Sequence, residues 1–282
     1  MTMNLILQGL DGDSARLEHI AALAKPTRVT KPNERVVRCE NIPYSQTLRE
    51  SIEMAAWCAH VDAAFIEGER QLGDFKLLAM DMDSTVISIE CIDEIADMQG
   101  LKQEVAAITQ AAMQGDLDFS TSLARRVALL KGLDASALQR VYDERLQLSP
   151  GLERMLAGVK AAGLKTLLVS GGFTFFTERL QERLGLDYAH ANVLEIVGGK
   201  LTGRIVGGLV DAQEKKRTVE SVCAELGIPP KQAIVMGDGA NDLQMMRIAG
   251  LSVAFRAKPV VRAKADVALN FVGLDGVLTL FS

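Results

Sequence analysis

Two aspartates at the end of an apolar run are the first residues of this sequence with a clear capacity for chemistry. Asp81 and Asp83 follow the run 77–80, "LLAM", which predicts a strand buried on both faces. Because the residues of an extended chain alternate sides, both carboxylates project to the same side. They repel each other unless a cation lies between them or one of them keeps its proton. The alternative is an acidic turn that closes the strand, because Asp and Ser favour turns.

A second candidate follows the predicted strand 165–169. Ser170, Gly171 and Gly172 come directly after it, just before the helix predicted over 174–185. A hydroxyl, free backbone N–H groups and the positive end of a helix together form a cradle for an anion. For these three residues alone, a plain turn is the alternative.

A third candidate, "GDGAND" at 237–242, follows the predicted strand 232–236. In an open parallel sheet, ligands bind beyond the carboxyl ends of the strands, so this stretch is expected to meet the other two. Asp238 and Asp81 could then hold a hard divalent cation, and Mg²⁺ binds a few carboxylates together with phosphate and water. Taken together, the three stretches predict a phosphate and metal site rather than three plain turns.

Two lysines, Lys215 and Lys216, lie at the start of the helix predicted over 213–226. A lysine at this place could bring positive charge to a phosphoryl group. A solvated surface lysine is the alternative for either residue.

The elements that would position these residues alternate between strands and helices from about residue 73 onward. Such alternation predicts an α/β fold in which helices cover both faces of a parallel sheet. The stretch "GGKLTGRIVGG" (198–208) predicts a small hairpin. The predicted strands are 75–80, 165–169, 232–236, 251–255 and 266–269, and the predicted helices are 151–162, 174–185, 213–226 and 241–249.

Two regions do not show this alternation of strands and helices. The interval 89–148 shows only helical patterns, one of them with Asp134 as its N-cap, and predicts a helical cap inserted into a domain spanning 73–282. Residues 1–72 predict a small α/β domain of three strands and two helices, without a motif that carries chemistry.

Composition narrows the class of protein. The 282 residues are 48% hydrophobic and 24% charged, as is usual for a globular enzyme. A net charge of −5 without a long basic run argues against nucleic-acid partners and anionic membranes. No stretch is long and apolar enough to predict a membrane span, and the start lacks a signal-peptide pattern. The four cysteines are scattered without a CxxC pair, which predicts reduced thiols in a cytoplasmic protein.

The motifs and their order resemble the haloacid dehalogenase superfamily of phosphatases. "DMDSTV", "SGG", a lysine in "DAQEKK" and "GDGAND" occur in the order typical of that superfamily. Further stretches resemble its phosphoserine phosphatase family: "ECIDEIA" (90–96), "SLARRVALLKG" (122–132) and "SGGFTFF" (170–176). The resemblance covers roughly residues 75–270. It implies a Rossmann-like core, Mg²⁺ as the cofactor and O-phosphoserine as the small-molecule substrate. A homodimer is one possible assembly, which the sequence does not determine.

The resemblance also implies a role for each site residue. Asp81 would be the nucleophile that forms an aspartyl-phosphate, and Asp83 would be the general acid. Mg²⁺ would be bound by the Asp81 side chain, the Asp83 backbone carbonyl and Asp238. The residues implied to hold the phosphoryl oxygens are Ser170, Gly171 and Lys215, with Asn241 assisting. By its place in "DAQEKK", Lys215 matches the family pattern better than Lys216.

Substrate choice would depend on the cap. By resemblance, Glu90 would bind the substrate ammonium and Arg126 its carboxylate. The residues give independent support for Arg126 over Arg125, because Arg126 follows Leu123 by three positions and so lies beside the inward face of its helix. Two alternatives stay open here. One is a related phosphomonoesterase for phosphohomoserine, a sugar phosphate or a nucleotide; the other is an amino-acid-sensing module.

Overall fold

The computed structural model describes residues 3–113 and 117–281, which contain two β-sheets. Residues 1, 2, 114–116 and 282 fall within the predicted N-terminal domain, cap and phosphatase domain and lie outside the described residues.

An antiparallel four-stranded sheet forms the N-terminal part, in the order β2-β3-β1-β4. Both helices pack on one face of it, where they share an apolar cluster with alternate residues of the strands. Its elements are β1 (Met3–Gly9), α1 (Ser14–Leu23), β2 (Arg28–Asn33), β3 (Val36–Ile42), α2 (Gln46–Cys58) and β4 (Val61–Glu67). The sequence pattern misses β2, because this edge strand is mostly exposed and contains a proline, so that it lacks an apolar alternation.

The second sheet has seven strands in the order β11-β10-β9-β5-β6-β7-β8. All neighbouring pairs are parallel except β7 and β8. The predicted α/β fold is thus confirmed as a mixed sheet with flanking helices. Its strands are β5 (Leu77–Met80), β6 (Lys165–Phe173), β7 (Tyr188–Val197), β8 (Lys200–Val206), β9 (Ala233–Gly237), β10 (Leu251–Phe255) and β11 (Val267–Leu269).

Helices cover both faces of this sheet, and successive residues of β5 point to different clusters. Leu78 and Met80 belong to one apolar cluster, whereas Leu77 and Ala79 belong to the other. Among the described residues, no helix is both long and apolar enough to cross a bilayer. The helices after β5 are α3 (Cys91–Asp97), α4 (Lys102–Met113), α5 (Phe119–Leu129), α6 (Ser136–Glu144), α7 (Leu152–Ala161), α8 (Thr174–Leu184), α9 (Ala212–Glu225), α10 (Leu243–Ile248) and α11 (Pro259–Arg262).

The segment between β5 and α7 is helical, as the sequence predicts. Helices α3 to α6 lie there, and the described residues of 89–148 form no strand apart from single bridges at their margins and at Asp134. Asp134 is not the N-cap of α6, which begins at Ser136 after Ala135. The Asp134 side chain still accepts the Ser136 N–H, at 2.9 Å, and so caps the helix from one position earlier.

Two predictions about the second sheet are corrected. The strand predicted over 165–169 is longer than expected: β6 continues through the "SGG" stretch to Phe173, with a shift in register between Val169 and Phe173, and α8 begins at Thr174 as predicted. The hairpin is also larger than 198–208, since its first strand is β7 and Gly198 and Gly199 form its turn. The β7 sequence has mixed burial and no clean alternation, which is why the sequence pattern misses it.

Candidate active site

The strand register brings the three candidate stretches, 81–83, 170–172 and 237–242, together at one edge of the second sheet. Met80 of β5 pairs with Leu168 of β6 and with Met236 of β9. The residues that follow at the carboxyl ends therefore lie side by side. The backbone N–H of Asp81 continues the ladder by donating to the Met236 carbonyl, at 3.0 Å.

Asp81 lies at the centre of this site, with only 5% of the residue exposed. The fully buried Lys215 donates to Asp81 Oδ1 at 2.7 Å and to Asp242 Oδ1 at 2.7 Å. Burial alone would lower the pKa of Lys215, but the carboxylates of Asp242 and Asp81 raise it overall. Lys215 is therefore a fixed cation of the site.

Lys216 points elsewhere. It is half-buried and pairs with Glu220 one turn along α9, at 3.5 Å. Of the two lysines that the sequence offers, the structure brings only Lys215 to the aspartates.

Asp242 is the site residue that the sequence reasoning missed. It is fully buried, accepts the Gly239 N–H at 3.0 Å through Oδ2 and binds Lys215 through Oδ1. The signal was present, because Asp242 ends the same "GDGAND" stretch that supplies Asp238.

Three carboxylates, those of Asp81, Asp238 and Asp242, each bring an oxygen within 4.8 Å of the others. Burial, followed by the charge of Asp242, raises the pKa of Asp81 well above its usual range. The same two causes raise the pKa of Asp238 to about 7. Lys215, and for Asp238 also Lys258, oppose these rises in pKa without cancelling them. Three buried carboxyl groups so close together suit a hard divalent cation.

Asp83 lies beside this cluster rather than in it. It belongs to an irregular turn, residues Met82–Val86, in which Ser84 adopts a left-handed conformation with φ of 56°. The Cys91 N–H donates to Asp83 Oδ1 at 2.9 Å, and no hydrogen bond to Oδ2 is found within residues 3–113 and 117–281. Burial raises the pKa of Asp83, against the hydrogen bond from Cys91. A carboxyl group that keeps its proton more readily than usual suits an acid.

The Ser-Gly-Gly segment of β6 lies against the same turn. A Cβ at Gly172 would lie 2.6 Å from Asp83 Oδ2, so a side chain there would have to displace the Asp83 carboxyl. Ser170 is fully buried, and its Oγ accepts the Gly172 N–H at 2.8 Å. Gly171 faces the cap, since a Cβ there would lie 2.9 Å from the ring of Phe119. Asn241 lies in the 3₁₀ turn Ala240–Asp242 and is partly buried.

Glu90 and Arg126 come from the helical segment. Glu90 precedes α3 and accepts the Ser84 hydroxyl at 2.9 Å. Burial, together with the nearby Asp83 and Asp238 carboxylates, raises the pKa of Glu90 to about 8. Burial raises the pKa of Asp93, and the positive charge of Arg126 opposes this rise.

Arg126 and Arg125 differ in burial, as the helical pattern predicts. Arg125 is exposed, whereas Arg126 is partly buried beside Leu123 and Val127. The Arg126 Nε is buried and has no hydrogen-bond partner among the described residues. A buried donor without a partner is costly, and a bound carboxylate would satisfy it.

Comparison with known proteins agrees with this site. The haloacid dehalogenase-like hydrolase family model matches residues 75–250, which include the three candidate stretches and Lys215. A phosphoserine phosphatase of Polaromonas sp. is 57% identical over 215 residues, which are 74% of this chain and 91% of that protein. A phosphoserine phosphatase of Haemophilus influenzae is 48% identical over 222 residues, which are 79% of this chain and 70% of that protein.

Solved structures extend the likeness to the N-terminal sheet. A haloacid dehalogenase family hydrolase from Salmonella enterica serovar Typhi has a TM-score of 0.89 and 34% identity, with 100% of this chain and 99% of that chain covered. A probable phosphoserine phosphatase from Vibrio cholerae has a TM-score of 0.82 and 39% identity, with 98% and 86% covered. The chain belongs to the haloacid dehalogenase-like hydrolases and, among them, to the phosphoserine phosphatases, a family of phosphoric monoester hydrolases.

Proposed function

We propose that this protein hydrolyses O-phospho-L-serine to L-serine and phosphate through an aspartyl-phosphate, as the last step of serine biosynthesis. The observation that carries the proposal is the pairing of buried Asp81 with Lys215 at 2.7 Å, directly beside Asp83 and the Ser-Gly-Gly segment. This geometry supports the assignment of a nucleophile, a fixed cation and an acid to one point.

The two oxygens of Asp81 have different surroundings. Oδ1 accepts the Lys215 ammonium, so Oδ2 is the oxygen left to attack phosphorus. Attack forms the Asp81–phosphorus bond and breaks the bond between phosphorus and the serine oxygen. Splitting one difficult hydrolysis into two steps in this way is the usual gain of a covalent intermediate.

Asp83 supplies the proton. Its Oδ1 is held by the Cys91 N–H, and its Oδ2 faces Gly172, so Oδ2 is the atom that we expect to protonate the leaving serine oxygen. In the second step the same oxygen takes a proton from a water molecule that attacks phosphorus. The Asp81–phosphorus bond breaks, so phosphate leaves and Asp81 is restored. The raised pKa of Asp83 supports the first of these roles.

The phosphoryl oxygens are proposed to bind Ser170, Gly171 and Lys215, with help from Asn241. Asp81, Asp238 and the Asp83 backbone carbonyl are the proposed ligands of Mg²⁺, and the carboxylate cluster adds Asp242 to them. When bound, Mg²⁺ neutralises the approach of the phosphate anion to the carboxylates.

The substrate's amino-acid part is proposed to bind the helical segment. Glu90 would accept the ammonium, and Arg126, whose Nε is buried and without a partner among the described residues, would bind the carboxylate. The proposed boundaries are 1–72 for the N-terminal domain and 73–282 for the phosphatase domain, with the cap at about 89–148.

Two further proposals concern setting and assembly. The four cysteines are all free, which suits the reducing cytoplasm. A homodimer is the proposed assembly, and light scattering coupled to size-exclusion chromatography measures it directly.

Phosphate release from L-phosphoserine and L-phosphothreonine, each with and without Mg²⁺, tests the proposed function. We expect rapid release from phosphoserine that requires Mg²⁺ and disappears in Asp81→Asn, whose amide is not a nucleophile. Faster release from phosphohomoserine or a sugar phosphate would favour a related phosphomonoesterase, and amino-acid binding without any phosphate release would favour a sensing module.

A further inference from the structure

Asn192 of β7 joins the two segments that are proposed to bind the phosphoryl group. It is 1% exposed. Its Nδ2 donates to the Gly171 carbonyl at 2.8 Å, and its Oδ1 accepts the Val210 N–H at 2.8 Å. The bond to Val210 is buried and the bond to Gly171 is partly buried. Both are short and within the usual range, so each restrains its partner.

The first of these bonds fixes the orientation of one peptide group. The Gly171 carbonyl and the Gly172 N–H belong to the same planar unit. Asn192 holds the carbonyl end, and the N–H end donates to Ser170 Oγ at 2.8 Å. Because Ser170 Oγ accepts this hydrogen bond, its own hydrogen points away from Gly172 and can be donated to a phosphoryl oxygen. Asn192 thereby orients the Ser170 hydroxyl without contacting it.

The second bond acts on the other side of the site. Val210 precedes Asp211, the N-cap of α9, and the Lys215 N–H donates to the Asp211 carbonyl at 2.9 Å. Asn192 therefore fixes the distance between the start of the helix that carries Lys215 and the segment that carries Ser170.

We propose that Asn192 is a positioning residue for phosphoryl transfer, which holds the Ser170 hydroxyl and the Lys215 helix at the spacing that the phosphoryl group requires. The inference rests on the proposed function, since it assigns Ser170 and Lys215 to the phosphoryl group. Neither the sequence motifs nor the resemblance points to this residue.

The test compares Asn192→Asp with a matched control elsewhere in the protein. Asp has the shape of Asn and keeps an acceptor for Val210, but it has no donor for the Gly171 carbonyl and faces it with an oxygen. Asn4 makes the same kind of bridge in the N-terminal sheet: its Nδ2 donates to the Gly68 carbonyl at 3.0 Å, and its Oδ1 accepts the Asn41 N–H at 3.1 Å. Asn4→Asp therefore removes an equivalent bond far from the site.

Four quantities are measured for each variant with saturating Mg²⁺: the melting temperature, kcat and KM for phosphoserine, and the inhibition constant of inorganic phosphate. We expect both variants to lose similar thermal stability. Only Asn192→Asp should lower kcat/KM and weaken phosphate inhibition, each by about tenfold or more, since misplacing a binding group costs transition-state stabilisation. Should Asn192→Asp fail to fold, Asn192→Ser, which retains a small polar side chain, is measured by the same criteria.

A double-mutant cycle with Ser170→Ala separates positioning from general weakening of the fold. If Asn192 acts through the Ser170 hydroxyl, most of its effect on kcat/KM disappears in the Ser170→Ala background, so the two losses are not additive. Additive losses, or equal kinetic losses in Asn4→Asp, would overturn the proposal. Failure of the wild-type protein to hydrolyse phosphoserine would instead contradict the proposed function, and is seen before any variant is made.

Discussion

At the scale of single residues, the roles in this site follow from which atoms already have partners. Lys215 and Asp242 hold one another, and Lys215 also holds one oxygen of Asp81. Arg126 differs, because its Nε is buried and has no partner among the described residues. Groups with partners shape the site, whereas a group without one is available to a ligand.

Arg126→Ala tests this view of substrate recognition. Removing a charge-assisted contact to the substrate carboxylate costs roughly 1.5–3 kcal/mol, so kcat/KM for phosphoserine should fall about tenfold or more. Phosphoethanolamine has no carboxylate, and its hydrolysis should change little. The matched control is Arg125→Ala, since Arg125 is exposed and adjacent. Equal losses on both compounds would show that Arg126 holds the cap together instead.

Glu90 should make stability depend on pH in protein free of divalent cations. Burial, with the nearby carboxylates, raises its pKa from 4.5 to about 8. Between these values the folded protein keeps a proton that the unfolded chain has lost, so this group's contribution falls as pH rises from about 4.5 to 8. Glu90→Gln removes the titration.

We therefore expect Glu90→Gln to melt higher than the wild type at pH 8 but at about the same temperature at pH 4.5. Each kcal/mol gained raises the melting temperature by about 2–4 °C in a protein of this size. Calorimetry across this pH range in EDTA measures the difference in melting temperature between the variant and the wild type. A difference that becomes smaller toward pH 8 would contradict the raised pKa.

At the scale of elements, the site depends on how closely β6 approaches the turn after β5. Gly172 lies in β6, and its missing side chain leaves space for Asp83 Oδ2 and for Met82 Cε, which would lie 2.6 and 2.8 Å from a Cβ. The turn also requires a left-handed residue, Ser84, which costs backbone energy. Strand and turn are thus fitted to each other.

Gly172→Ala should lower kcat far more than it lowers stability. The added methyl group must displace the Asp83 carboxyl, which is proposed to act as the acid, and loss of well-placed acid catalysis costs about 10²–10⁴ in rate. Gly208→Ala is the control, since nothing lies within 4 Å of a Cβ there. The kcat from initial rates and the melting temperature are compared for both variants. A Gly172→Ala enzyme with the kcat of the control would show that the acid lies elsewhere.

The sequence predicts those elements whose environment is uniform along their length. Strands β5 and β9 are buried on both faces, and their apolar runs predict them well. The sequence pattern misses β2, because it is an exposed edge strand, and β7, because its burial changes along its length.

Site residues follow the same rule. Asp81 and Asp238 stand directly after buried runs, so their place is predictable from neighbours in sequence. Asp242 and Asn192 depend on partners 27 and 18–21 residues away, and such contacts are visible only in the folded chain.

At the scale of the whole molecule, the N-terminal sheet makes direct hydrogen bonds with the phosphatase part and is not held to it by the linking chain alone. Asp62 of β4 accepts the N–H groups of Asn270, Phe271 and Val272, at 2.7, 3.0 and 2.9 Å. Arg38 of β3 donates to the carbonyls of Thr279 and Phe281. The segment 270–281 thus connects the two sheets through buried and partly buried polar contacts.

Asp62→Ala should destabilise the protein strongly and leave its chemistry intact. Three backbone donors lose their acceptor, and each unsatisfied donor costs about 1–3 kcal/mol, so a loss of about 3 kcal/mol or more is expected. Asp62→Asn keeps one acceptor oxygen and should lose less. Urea unfolding gives the free energies, and kcat at low temperature checks the site. A change of less than about 1 kcal/mol in Asp62→Ala would show that these bonds do not hold the two parts together.

The same segment has a consequence for biosynthesis on the ribosome. One face of the N-terminal sheet carries Ile6, Val36, Ala64 and Ile66, which share a core with Leu274, Val277 and Leu280. Asp62 and Asn270 are separated by 208 positions. At about 5–20 residues per second, the nascent sheet waits roughly 10–40 s for this covering segment. During translation an apolar sheet face therefore stays open to chaperones and to neighbouring nascent chains.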